Sequence, residues 1–361
     1  MSAPRFVRSG LTGAMAAAVF AVTIGVADLS LGSAIIGPTH QTLLDRGAPR
    51  DIDAMKTEYR RPTLIPFPSE NRFTPAKASL GKKLYFDPRL SAASLQSCAN
   101  CHSPGFGWGD GMASRSARGT TRLERRSPTV INAAWAEVFM WDGRAASLEE
   151  QALLPIESAV EMNMPVERLM ERLASIPEYG SLFASTFPGR GITPVTLGEA
   201  LATYERTIVS ERAPFDAWIE GDERAIPEQA KRGFVTFNTK GRCSSCHEGW
   251  NFTNEGFHDI GLPGTDIGRG ALLPNIPAMA HAFKTPGLRE IERRGPYMHD
   301  GSIATLEGVI EHYDGGGLER PGRSGLIGPL ELAPEEKSDL VAFLRTLTSS
   351  PRPTMMPVFP R

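Results

Sequence analysis

Cysteine is scarce, with four residues in 361. Four allow at most two disulfides, a use that would suit an exported protein. Charge of one sign is also missing: 39 Lys and Arg face 41 Asp and Glu, a net charge of −2. That balance gives no sign of a nucleic-acid or membrane-surface partner. Strand signals are weak throughout. Long apolar runs are absent beyond the start, where Leu11 to Ala27 carries no charge behind Arg5 and Arg8. This pattern predicts an export signal over residues 1–34, cleaved after Ala27 or Ala34, or else retained as an N-terminal inner-membrane anchor. The expected location is therefore the periplasm. What is abundant is Gly, 36 residues, and Pro, 29 residues. They predict ordered loops between short helices.

The four cysteines form two CxxC pairs, and each pair is followed by histidine: Cys98, Cys101, His102 and Cys243, Cys246, His247. CxxCH is the attachment pattern of a c-type heme. Two thiols add across the heme vinyl groups, and the next histidine falls under the iron as an axial ligand. Plain disulfides would leave both histidines unexplained. A shared zinc site needs two knuckles about 15–20 residues apart, far closer than these. The expected cofactors are two covalently bound hemes c.

An internal repeat supports two units. Pro75, Ala78, Gly81 and Tyr85 precede the first motif, and Pro227, Ala230, Gly233 and Phe237 precede the second, at identical spacing. Each set predicts a short helix beside a heme. The expected architecture is mainly α, two cytochrome c-like heme domains in tandem. A lead-in spans 35–72, the N-terminal heme domain 73–225, the C-terminal heme domain 226–349, and a tail 350–361. Capping boxes are predicted at Ser147 with Glu150 and at Thr196 with Glu199. Leu197, Ala200, Leu201, Tyr204 and Ile208 mark one helical face, and Leu340, Phe343, Leu344 and Leu347 another.

The segments around the motifs are more specific. Met140-Trp141-Asp142-Gly143-Arg144-Ala145-Ala146-Ser147-Leu148-Glu149-Glu150-Gln151-Ala152, continuing through Pro155 to Glu161, resembles a block of the bacterial di-heme cytochrome c peroxidases and MauG enzymes. Phe283 to Arg289 and Pro296 to Gly301 resemble the later blocks of the same family. The resemblance covers roughly residues 60–350. It implies an enzyme that reacts with hydrogen peroxide at the N-terminal heme. The leading expectation is a peroxidase fed by a small electron carrier, a cytochrome c or cupredoxin. The alternative is a MauG-like oxidase acting on a protein or small molecule through a bis-ferryl type state. A non-catalytic di-heme electron carrier or redox sensor is the alternative of another class.

The resemblance also implies roles for single residues. His102 is the proximal ligand of the first iron. Glu161 is the distal acid–base group, Gln151 its hydrogen-bonding partner, and Pro155 lies between them. Trp141 relays electrons between the hemes, whereas Asp142 and Arg144 are structural. Family peroxidases close the first iron with a histidine from the loop after CxxCH. Here that loop, Ser114 to Thr120, has no ligand-type side chain, and no histidine lies between His102 and His247. An open coordination position is expected, with Met112 as a minor competitor. His247 binds the second iron, and the family's second ligand falls on Tyr313, with Met279, Met298 and His312 as competitors. The calcium-binding asparagine of the family falls on Arg126. Arginine cannot ligate calcium, so its guanidinium is expected to replace the ion, facing the carbonyls of Arg294 and Pro296.

Overall fold

The computed structural model describes residues 51–113, 123–350 and 352–361. The expected export signal and the loop Ser114 to Thr120 lie outside the described residues. No described helix is long and apolar enough to cross a membrane. Short helices joined by long loops carry the fold, and among the described residues the strands amount to one antiparallel pair, Phe257–His258 with Phe283–Lys284.

The repeat seen in the sequence builds the same helix crossing twice. In the first copy, Thr74 caps the helix Pro75–Phe86 by accepting from the Lys77 amide, and Pro75 is its first residue. Proline suits that position because its missing N–H would have no helical partner. Gly81 lets this helix lie directly on Pro194–Arg206: a Cβ there would come within 1.9 Å of the Ala200 carbonyl oxygen. In the second copy, Glu228–Asn238 lies on Pro334–Arg345, and a Cβ at Gly233 would meet the Asp339 carbonyl oxygen, also at 1.9 Å. Two cores grow from these crossings. Leu80, Leu84, Tyr85, Leu197 and Leu201 seed one. Phe234, Phe237, Leu340, Phe343 and Leu344 seed the other. The two predicted apolar faces are buried as expected.

Three details differ from the sequence reading. The helix after Ile192 starts at Pro194, so Thr193 is the cap, accepting from the Thr196 amide at 3.1 Å. Proline at the first position sets that start, and Glu199, expected in a capping box, instead accepts two hydrogen bonds from Arg190 at 2.7 and 2.8 Å. At Ser147 the hydroxyl caps the Glu150 amide as expected, but the Glu150 carboxylate accepts from Ala146 rather than Ser147. Finally, packing does not divide at 225/226. The lead-in contains a helix, Ile52–Glu58, and Met55 and Tyr59 pack with Phe215, Trp218 and Ile219 in the second core. The buried Tyr59 hydroxyl donates to Asn238 at 2.6 Å. From the other end of the chain, Phe359 packs on the first core. Burial of large aromatic side chains drives both crossings.

Candidate functional site

Cys98–Cys101 forms a single helical turn, and His102 follows at its end. The His102 Nδ1 lies 2.8 Å from the Pro128 carbonyl. A carbonyl can only accept, so Nδ1 carries the proton and Nε2 is the nitrogen with the lone pair for a metal. The second motif repeats the device, with the His247 Nδ1 2.9 Å from the Phe252 carbonyl. Burial holds the His247 pKa down at about 4, which keeps the ring neutral and ready to coordinate. None of the four cysteines is in a disulfide. Burial, reinforced by Cys246, pushes the Cys243 thiol up to about 12, and burial raises Cys98 as well.

Each motif opens onto its own cavity. The first, of about 600 Å³, is lined by His102, Trp141, Gln151, Pro155 and Glu161. A small space of about 50 Å³ on the cysteine side adds Cys98, Cys101 and Glu205. The second cavity, of about 180 Å³, is lined by Cys243, Cys246, His247 and Tyr313. A thiol pair beside a histidine, opening onto a cavity, is the donor set a heme requires, and both sites fit it.

The structure brings Gln151, Pro155 and Glu161 together on the first cavity. Gln151 ends the turn Leu148–Gln151. That turn is pinned by Glu149, whose carboxylate accepts from Arg206 at 2.6 and 3.0 Å and from Asn71 at 2.6 Å. Glu161 lies on a loop folded back over the preceding helix Leu154–Glu157. Its amide donates to Ser158, the Met162 amide to Pro155 and the Met164 amide to Ile156. The Glu161 side chain is half-buried rather than solvated. Among the described residues lining this cavity, His102 is the one histidine. Met112 is 48% exposed and lines neither cavity.

Trp141 lines both cavities. Its indole N–H donates to the Arg126 carbonyl at 2.9 Å, which fixes the ring. Arg126 is buried and also lines both cavities. Its NH1 donates to the Arg294 carbonyl at 2.7 Å, and NH2 lies 3.6 Å from Asp110. The guanidinium of Arg126 thus takes up the Arg294 carbonyl, and arginine itself cannot ligate calcium. Asp142 is held by Arg125 and Arg144 at 2.7 and 2.8 Å, a structural pairing.

Tyr313 stands on the helix Leu306–Asp314 and faces the cavity of His247. Burial, with the nearby Cys246 and Cys243 sulfurs, raises its phenol pKa. Of its competitors, the His312 Nε2 is taken up by the Ile260 carbonyl at 2.9 Å. Met279 does not line the cavity, whereas Met298 does. Two cavity residues carried no sequence signal. Glu205 sits on a helix buried from Thr196 to Arg206, so periodicity could not single it out. His258 lines the second cavity with a buried, unpartnered Nε2.

A family described as di-haem cytochrome c peroxidase matches residues 75–224. The chain is 48% identical to the methylamine utilization protein MauG of Methylorubrum extorquens over 86% of this chain and 89% of that protein. It is 34% identical to the cytochrome c551 peroxidase of Pseudomonas aeruginosa over 78% of this chain and 81% of that one. A crystal structure of a MauG-like protein associated with microbial copper homeostasis superposes with a TM-score of 0.73 and 28% identity, covering 80% of this chain and 95% of that chain.

Proposed function

Because this chain belongs to the di-heme cytochrome c peroxidase and MauG family of oxidoreductases, we propose that it is a peroxide-driven oxidase of the MauG type. It withdraws electrons from a protein or small molecule outside the heme pockets. Cys98 and Cys101 would hold one heme and Cys243 and Cys246 the other through thioether bonds, with His102 and His247 supplying a ring nitrogen to each iron. When bound, the first heme supplies an iron that takes up peroxide and accepts its oxidising equivalents. The chain's own residues then manage the protons. The Glu161 carboxylate takes the proton from the near oxygen of peroxide and returns it to the far one, which leaves as water. The Gln151 amide donates a hydrogen bond to the developing charge. Pro155 shapes the loop that holds both. Trp141, fixed by its bond to Arg126 and lining both pockets, would relay electrons between them. Tyr313 supplies a hard anionic ligand to the second iron, which favours higher oxidation states. The guanidinium of Arg126 takes the place of calcium. The chain acts in the periplasm.

The observation that carries this reading is that Tyr313 and His247 line one cavity while, among the described residues, Glu161 and Gln151 line the other with His102 as its one histidine. A second reading, a peroxidase fed by a reduced cytochrome c or cupredoxin, is favoured by the similarity to a cytochrome c551 peroxidase. Stopped-flow spectroscopy of the ferric holoprotein with peroxide, then turnover with reduced cytochrome c, separates the two. Rapid reaction with slow cytochrome turnover is expected. Rapid cytochrome turnover selects the peroxidase, and inertness to peroxide removes both.

A further inference from the structure

Glu205 has no part in the chemistry above, yet it is the most confined carboxyl in the first pocket. It is 4% exposed, and its Oε2 has no hydrogen-bond donor. It lines the small space beside Cys98 and Cys101 that also holds Glu161 and Gln151. The adjacent Arg206 is not its counter-ion, because both guanidinium arms are spent on Glu149. The other groups that face it are the Tyr85 and Tyr204 phenols, from the helices Pro75–Phe86 and Pro194–Arg206, and the Cys98 sulfur. Burial raises its pKa to about 8; the Arg206 charge opposes that and Glu149 adds to it. An unpaired carboxylate in such a place is costly, so without a positive charge beside it the neutral acid is the form near pH 7. Added positive charge a few ångströms away would reverse that preference, since charges interact strongly where water is excluded.

We propose that Glu205 is the redox-linked proton site of the first heme. This rests on Cys98, Cys101 and His102 holding a heme. When that heme passes one electron to an external oxidant, Glu205 passes one proton to solvent and becomes a carboxylate. When the electron returns, the carboxylate takes a proton back. The pocket's net charge stays constant across the cycle, so oxidation at this site becomes easier as pH rises.

The test is spectroelectrochemical titration of the first heme in the holoprotein at a series of pH values bracketing 8. The midpoint potential is expected to fall with pH, approaching ~59 mV per unit, the value for one proton per electron. Glu205→Gln should flatten that slope, while Glu161→Gln should keep it. A slope that survives in Glu205→Gln, or a flat wild-type profile, overturns the proposal. Should Glu205→Gln fail to fold, redox-difference infrared spectroscopy of wild-type protein carrying isotope-labelled glutamate replaces it. A labelled protonated-carboxyl band should vanish on oxidation, and an unchanged band overturns the proposal. A wild-type protein without heme at Cys98 and Cys101 would fail the parent reading instead.

Discussion

At the scale of single residues, the first cavity sets a clear order of importance. On the proposed reading, Glu161 moves the proton and Gln151 only donates a hydrogen bond. Glu161→Gln should therefore slow the reaction with peroxide by ~10²–10⁴-fold, the usual worth of a positioned acid–base group. Gln151→Leu should cost less, because Glu161 still transfers the proton. Stopped-flow rates at saturating peroxide check both, and equal rates for Glu161→Gln and wild type would remove its role. In the second cavity, Tyr313→Phe takes away the anionic donor. The midpoint potential of the second heme should rise, with peroxide uptake at the first heme little changed; an unmoved potential would point to Met298, which lines the same cavity. Residues that do chemistry together as neighbours in the chain, such as Cys98, Cys101 and His102, were legible in sequence because the spacing itself is the chemistry. Glu161 and Tyr313 were legible only through family likeness. The place of Glu205 was not legible, because it depends on the walls around it, and those come from Tyr85 on another helix and Cys98 on a third segment.

At the scale of elements, the repeated glycine decides how close two helices come. The sequence reading placed a helix beside each heme but said nothing of what it would pack on. The partner helices lie far along the chain, Ala200 for Gly81 and Asp339 for Gly233. The reason is steric: each added Cβ would meet a backbone oxygen at 1.9 Å, and backbone cannot rotate aside as a side chain does. Gly81→Ala should therefore separate the helices Pro75–Phe86 and Pro194–Arg206 and loosen the core that carries Tyr85 and Tyr204. Overpacking of this kind costs ~1–3 kcal/mol or more. Thermal unfolding of the holoprotein should show a lower Tm for Gly81→Ala and for Gly233→Ala, whereas Gly180→Ala, where nothing lies within 4 Å of the new methyl, should not lower it. A Gly81→Ala protein as stable as wild type would mean the crossing is looser than described. The same geometry explains why the capping box at Thr196 failed as a reading: Pro194 and Thr193 already set the start of that helix, three residues earlier.

At the scale of the whole molecule, two adjacent arginines tie the heme units together. Arg125 binds Asp142 at 2.7 Å and Asp266 at 2.6 and 2.8 Å. Burial opposes the charge of both carboxylates, but Arg125, with Arg144 at Asp142, outweighs it and holds both below the usual range. Their contribution is present above the unfolded value of ~4 and is lost as pH falls through the lower folded values. Acid should therefore weaken this tie, and Arg125→Gln should reduce the difference in Tm between neutral and acid buffer. Arg126 works through a different bond, from its guanidinium to the Arg294 carbonyl, and its own carbonyl holds the Trp141 indole. On the proposed reading, this permanent cation takes the place of a dissociable one. Two outcomes follow. Dialysis of the wild-type holoprotein against a calcium chelator should leave its Tm and its rate with peroxide unchanged. Arg126→Asn, which removes the fixed charge and restores an oxygen donor, should lose stability without calcium and regain it as calcium is added, by the mass-action rise that any ligand of the folded state gives. Calcium that raises the wild-type Tm, or a variant indifferent to it, would separate Arg126 from this role and leave its bond to Arg294 as packing alone.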